Sequence, residues 1–230
     1  MLSSNLERKK TEEQRGINSQ IIITEEEGSA SRFRTHTVDF FSAEISVTVT
    51  KNPSVVRKWI STTLYLRNRR HQFGRLVVGV GVQWNPSNGN DPPADTLQLC
   101  VGSRCLIFQL CHARTIPLIL RRFLRDESNT FVRIWNAADA KKLYMEHELE
   151  IHGLLDLRRY VATEEGASLL RSPVETIVSE CLGFDGVRLD NEISVSDWDD
   201  RYLSLAQVRQ ATVKAYVAFQ IGKKERAWRF

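Results

Sequence analysis

The sequence predicts an α/β domain built on a mixed sheet flanked by helices, and three features carry that prediction. The first is the near-continuous apolar run LVVGVGVQW over 76–84, which has the character of a strand buried on both faces at the centre of a sheet. The second is the pair of short apolar stretches TLQLC and CLIFQL, which read as the next two strands. The third is the order of the remaining patterns, strands first and then strands alternating with helices, which builds sheet and helix layers into one core.

The elements follow in order. Residues 1–32 form a polar leader rich in Glu, Lys, Ser and Gln, broken only by Ile21-Ile22-Ile23, and its composition predicts disorder for most of it. The folded domain is expected over 33–230. Over 33–50 the alternating, β-branched stretch FRTHTVDFFSAEISVTVT predicts two short strands joined by a turn. Asn52-Pro53 supplies a cap and first-turn proline for a helix to about Asn68, with Val55, Val56, Trp59 and Ile60 on one face. The strand at 76–84 follows the basic segment RNRRHQFGR, and the turn-rich loop NPSNGNDPPAD over 85–95 leads to the next two strands. A helix over 117–126, a strand over 130–135, a helix over 138–147, a short strand at 154–157, and helices at 173–182 and 205–224 complete the domain, without internal repeats.

At 230 residues and 42% apolar content the chain is within single-domain range and of ordinary globular composition. Its formal charge of +4 is compatible with a polyanionic partner but does not define one, because basic and acidic residues are interspersed. No run reaches the roughly 18 apolar residues of a membrane span, and the first residues lack the apolar segment of a signal peptide. A nuclear or cytoplasmic location is expected. Cys100, Cys105, Cys111 and Cys181 lack Cys-x-x-Cys spacing and read as small buried hydrophobes of a reducing compartment.

On the strand Val80-Gly81-Val82-Gln83-Trp84, the helix start Asp139-Ala140-Lys141-Lys142-Leu143, and Gln210 and Lys214 of the last helix, the chain resembles the Werner-type branch of the ribonuclease D/DnaQ-like 3′–5′ exonucleases, particularly plant Werner-like exonuclease-domain proteins. The resemblance covers most of the chain after about residue 39. It implies a ribonuclease H-like exonuclease fold and, in active members, two divalent ions held by carboxylates. The first family motif ends hydrophobic-Asp-hydrophobic-Glu-Trp, and the last is Tyr-x-x-x-Asp. Here Gly81, Gln83 and Lys214 stand where three carboxylates belong, Gln210 stands for the water-orienting Tyr, and only Asp139 is acidic. A degenerate site is therefore expected, with no cofactor, or Mg or Mn if activity persists through a substitute carboxylate such as Asp156.

Lys214 then has two readings, a phosphate grip or a helix-face lysine reaching solvent. Trp135, at a strand end ahead of Asp139, could stack on a base or pack in the core. Arg67, Arg69, Arg70 and His71 form the densest basic cluster, either a nucleic-acid contact or cations at a helix C-terminus. Asp197, Asp199 and Asp200 are expected to cap the last helix. The expected partner is nucleic acid, DNA or RNA, at a 3′ end or single strand; a homo-oligomer or an active exonuclease partner is compatible with the same reading. A purely structural interaction module is the third function class left open.

Overall fold

The computed structural model describes residues 21–25, 32–69, 75–134 and 138–230. Eight strands form one sheet: β1 (Ile21–Glu25), β2 (Arg34–Phe40), β3 (Ala43–Thr50), β4 (Leu76–Gln83), β5 (Thr96–Val101), β6 (Arg104–Gln109), β7 (Asn129–Arg133) and β8 (Leu155–Asp156). Their spatial order is β1-β2-β3-β6-β5-β4-β7-β8. The pairs β3·β6, β4·β7 and β7·β8 are parallel and the rest antiparallel, so the sheet is mixed.

The helices are α1 (Pro53–Arg69), α2 (Leu118–Arg125), α3 (Asp139–His147), α4 (Val174–Leu182), α5 (Asn191–Ser194) and α6 (Leu205–Lys224). They enclose the sheet between two apolar cores. One contains Val56, Trp59 and Ile60 of α1, Leu120 and Phe123 of α2, and Leu143 of α3; the other contains Ile177 and Val178 of α4 and much of α6. Every residue of β4 is buried, the burial its continuous apolar run predicts.

Two glycines of β4 have different physical reasons. A Cβ at Gly79 would lie 2.0 Å from the Ala215 carbonyl oxygen and 2.8 Å from the Phe219 nitrogen, both backbone atoms of α6. The missing side chain lets α6 lie directly on the sheet. At Gly81 a Cβ would meet only the Gln98 side chain, whose Oε1 lies 2.6 Å away.

Three expectations require correction. The run Ile21–Ile23, assigned to the leader, is part of an edge strand that pairs antiparallel with β2, Ile21 opposite Phe40 and Glu25 opposite His36. Its apolar side chains gain partners only through this long-range pairing, since Ile21 and Ile23 pack on the core. The acidic group near residue 198 does not cap α6. Ser204 does, accepting from the Gln207 backbone while the Gln207 side chain accepts from Ser204 N. Asp197 and Asp199 instead accept hydrogen bonds from Asn85, and Asp199 also from Asn88, tying the 85–95 loop to the approach of α6. Among the cysteines, Cys111 is exposed, in a helical turn after β6, while Cys100, Cys105 and Cys181 are buried. Trp198 is fully buried, Trp84 half-buried.

Candidate nucleic-acid cleft

Strand periodicity puts Gly79, Gly81 and Gln83 on one face of β4, the face that α6 crosses. Close packing at Gly79 fixes the height of α6 above the sheet and brings Lys214, one residue before Ala215, to the carboxyl end of β4. Asp139, first residue of α3, enters from the neighbouring parallel strand β7. Gly81, Gln83, Asp139 and Lys214 consequently line one cleft of about 540 Å³, together with Arg158 and Glu175.

Asp139 is 2% exposed, and its Oδ1 has no hydrogen-bond partner. Burial pushes its carboxyl up to about 8, against the opposing pull of Arg133 and Lys214, with Asp156 adding to the rise. An ion pair with Arg133 would argue for the charged form, but its closest approach is 4.0 Å and the Arg133 Nη1 makes no hydrogen bond. At that separation charge attraction lacks the hydrogen bonding that would offset desolvation, so burial prevails. Burial therefore favours the protonated form of Asp139.

Lys214 is drawn into the cleft instead of reaching solvent. Its Nζ donates to Ser194 Oγ at 3.2 Å, and burial lowers its proton affinity while Asp139 and Glu175 raise it. Gln210 is equally committed. Its Nε2 donates to Asp190 O at 2.9 Å and Ser194 Oγ at 2.8 Å, and its Oε1 accepts from Asp190 N at 2.7 Å. Gln207 donates to Ser196 Oγ and Asp197 O. Gln207, Gln210 and Lys214 thus form a polar stripe at helical spacing on α6 that stitches residues 190–197, including α5, to the cleft wall. Sequence reading missed α5; the available signal was Gln207, Gln210 and Lys214 at i, i+3 and i+7 of α6.

Asp156, the substitute carboxylate, is occupied. Its Oδ1 accepts from Arg158 Nε at 3.0 Å and its Oδ2 from Arg158 Nη2 at 2.6 Å. Burial acts to raise its pKa, but Arg158 outweighs that effect and holds it below the usual carboxylate range. Among the described residues no group of three or more His, Cys, Asp and Glu side chains is placed to hold a metal ion. One buried carboxyl, one amide, one glycine and one lysine do not fit the all-oxygen, anionic donor set that hard divalent ions require.

The structure does not bring Arg69 to this cleft. Arg69 lies at the far end of α1 with its guanidinium carbon 5.9 Å from the Tyr65 ring centroid, and Arg67 bonds Ser128 and Asn129. Trp135, Arg70 and His71 lie outside the described residues.

Comparisons with known proteins agree with this architecture. No protein-family model matches the chain. It is 35% identical over 94 residues to exonuclease 3′–5′ domain-containing protein 2 of Drosophila melanogaster, covering 40% of this chain and 16% of that protein. It is 25% identical over 190 residues to a putative 3′–5′ exonuclease of Acanthamoeba polyphaga mimivirus, covering 79% of this chain and 46% of that one. The chain therefore spans less than half the length of either relative. Among solved structures, the Aedes aegypti Nibbler EXO domain superposes with a TM-score of 0.61 at 14% identity, covering 78% of this chain and 87% of that one. Escherichia coli RNase D, an exoribonuclease, gives 0.58 at 20%, covering 74% and 42%. The fold is that of the ribonuclease H-like 3′–5′ exonuclease domains, and the relatives in sequence are exonuclease-domain proteins.

Proposed function

We propose that this protein is a catalytically silent member of the Werner-type branch of these exonucleases, and that its cleft grips single-stranded nucleic acid without divalent metal. The observation that carries this reading is Lys214, held in the same cleft as Gly81, Gln83 and Asp139 by its hydrogen bond to Ser194. Replacing a carboxylate by an ammonium about 4 Å from a cation reverses an interaction of roughly 4 kcal/mol at an effective dielectric of 20. The same ammonium can pair with a backbone phosphate as a point charge, and Arg158 lines the same wall. Survival of metal catalysis through Asp156 is disfavoured because Arg158 already takes both its oxygens. The protein would act in the nucleus or cytoplasm, alone or beside an active exonuclease.

The test is binding of a labelled oligonucleotide to the full chain in EDTA across a salt series. We expect binding that weakens with salt, a salt slope lowered by about one in Lys214→Glu, and no shortening of the strand when Mg or Mn is added. A site filled to about 100 times Kd would also add roughly 2.7 kcal/mol of stability. A metal-induced melting shift, or metal-dependent shortening, that disappears in Asp139→Ala would overturn the silent-site reading; an unchanged salt slope in Lys214→Glu would remove the grip.

A further inference from the structure

At the opposite end of β4 from Gln83, the fold leaves a second cavity of about 350 Å³. Leu66, Leu76 and Val77 supply apolar lining, and the C-terminal segment adds the aromatic rings of Phe219 and Trp228. Four cations converge on it from four places in the chain: Arg67 near the end of α1, Arg75 just ahead of β4, Arg104 opening β6, and Lys223 near the end of α6. Among the described residues, no acidic side chain lines the cavity. Among the described residues, no carboxylate forms an ion pair with any of the four.

Arg104 shows how the site is built. Its guanidinium carbon sits 5.3 Å from the Trp59 ring centroid, and its Nη1 donates to Thr63 Oγ1 at 3.2 Å. An indole face and a hydroxyl hold the group in place while using little of its five-donor capacity. Arg67 is oriented in a similar way by two neutral partners, Ser128 Oγ and Asn129 Oδ1. Four like charges around an apolar floor repel one another unless an anion joins them. A guanidinium fork matches phosphate oxygens, and the volume lies in the range of small-ligand pockets. A bare inorganic ion would leave the apolar and aromatic lining unused.

We propose that this cavity binds a phosphate ester of mononucleotide size, its phosphate on the Arg75, Arg104 and Lys223 rim and its base against Phe219 and Trp228. The site is separate from the Asp139–Lys214 cleft, and its occupancy does not depend on the function proposed for that cleft.

The experiment is calorimetric titration of the full chain with adenosine 5′-monophosphate, followed in parallel by tryptophan fluorescence. Saturable binding is expected, with adenosine and inorganic phosphate each at least about tenfold weaker. Lys223→Glu and Arg75→Glu, both at exposed positions, should each weaken binding by about tenfold, with folding checked by circular dichroism. Lys214→Glu should leave it unchanged, and Trp228→Phe should diminish the fluorescence change. The proposal is overturned by absence of saturable binding, by unchanged affinity in both rim variants, by loss of binding in Lys214→Glu, which would place the nucleotide in the other cleft, or by tighter binding of dodecyl phosphate, which would make the ligand an alkyl phosphate.

Discussion

Asp139→Asn should stabilise this protein, increasingly so as pH rises. The Asp139 carboxyl is raised from its ordinary 3.8 to about 8 in the folded state, so between those values the folded chain holds a proton that the unfolded chain has released. A raised folded-state pKa means that stability is fully present below the unfolded value and is lost as pH climbs through the folded one. Each unit corresponds to about 1.36 kcal/mol. At pH 6 the loss is therefore about 3 kcal/mol relative to strongly acidic solution, and across the whole window it reaches roughly 6 kcal/mol as an upper bound, because water entering the cleft would relieve part of the desolvation. Asparagine matches the protonated acid in shape and charge and carries no such cost. Guanidinium denaturation of parent and variant at a series of pH values from 4 to 9 measures the difference, in which other titrating groups cancel as long as they are independent. The expected curve is near zero at the acid end and rises by up to about 1.4 kcal/mol per unit toward pH 8. A flat difference, or a variant less stable than the parent at pH 7.5, would show that Asp139 is ionised and paired with Arg133 or Lys214, and the burial argument would fail.

Three further outcomes follow from the packing around the cleft. The combination Gly81→Asp, Gln83→Glu and Lys214→Asp should fold, because the obstruction at Gly81 is the unpartnered Gln98 Oε1 at the end of a flexible amide, and the folded triple variant should release nucleotides from a 3′ end in magnesium; a well-folded variant that binds magnesium and single strands but never cleaves would refute the alignment of these positions with an exonuclease site. Adding Gln210→Tyr to it should cost about 2–4 kcal/mol through the three hydrogen bonds to Asp190 and Ser194, so denaturation should show a less stable protein rather than a faster one. Gly79→Ala should lower stability by at least the 1–3 kcal/mol typical of overpacking, because the new methyl meets backbone of α6 that cannot rotate away; an unchanged denaturation midpoint would mean that α6 does not need this contact.

Local chemistry alone determined much of this protein. The apolar run of β4, the hairpin β5–β6, the proline-started α1 and the start of α3 at Asp139 are each written within a dozen residues, because burial on both faces, turn chemistry and helix entry are short-range signals. The residue types at Gly81, Gln83, Asp139 and Lys214 were equally legible, and the tertiary structure lines one cleft with all four. What the tertiary structure alone decided involves partners far apart in the chain. Ile21–Ile23 became strand because β2 offers an edge, Asp156 was claimed by Arg158, Gln210 was committed to Asp190 and Ser194, and the Asp139 pKa was raised by burial that no single segment supplies. Arg67, Arg75, Arg104 and Lys223 are scattered in sequence and meet only when α1, β4, β6 and α6 converge on one end of the sheet. Protonation and the gathering of like charges depend on the field of the whole fold, to which residues distant in sequence contribute as much as neighbours.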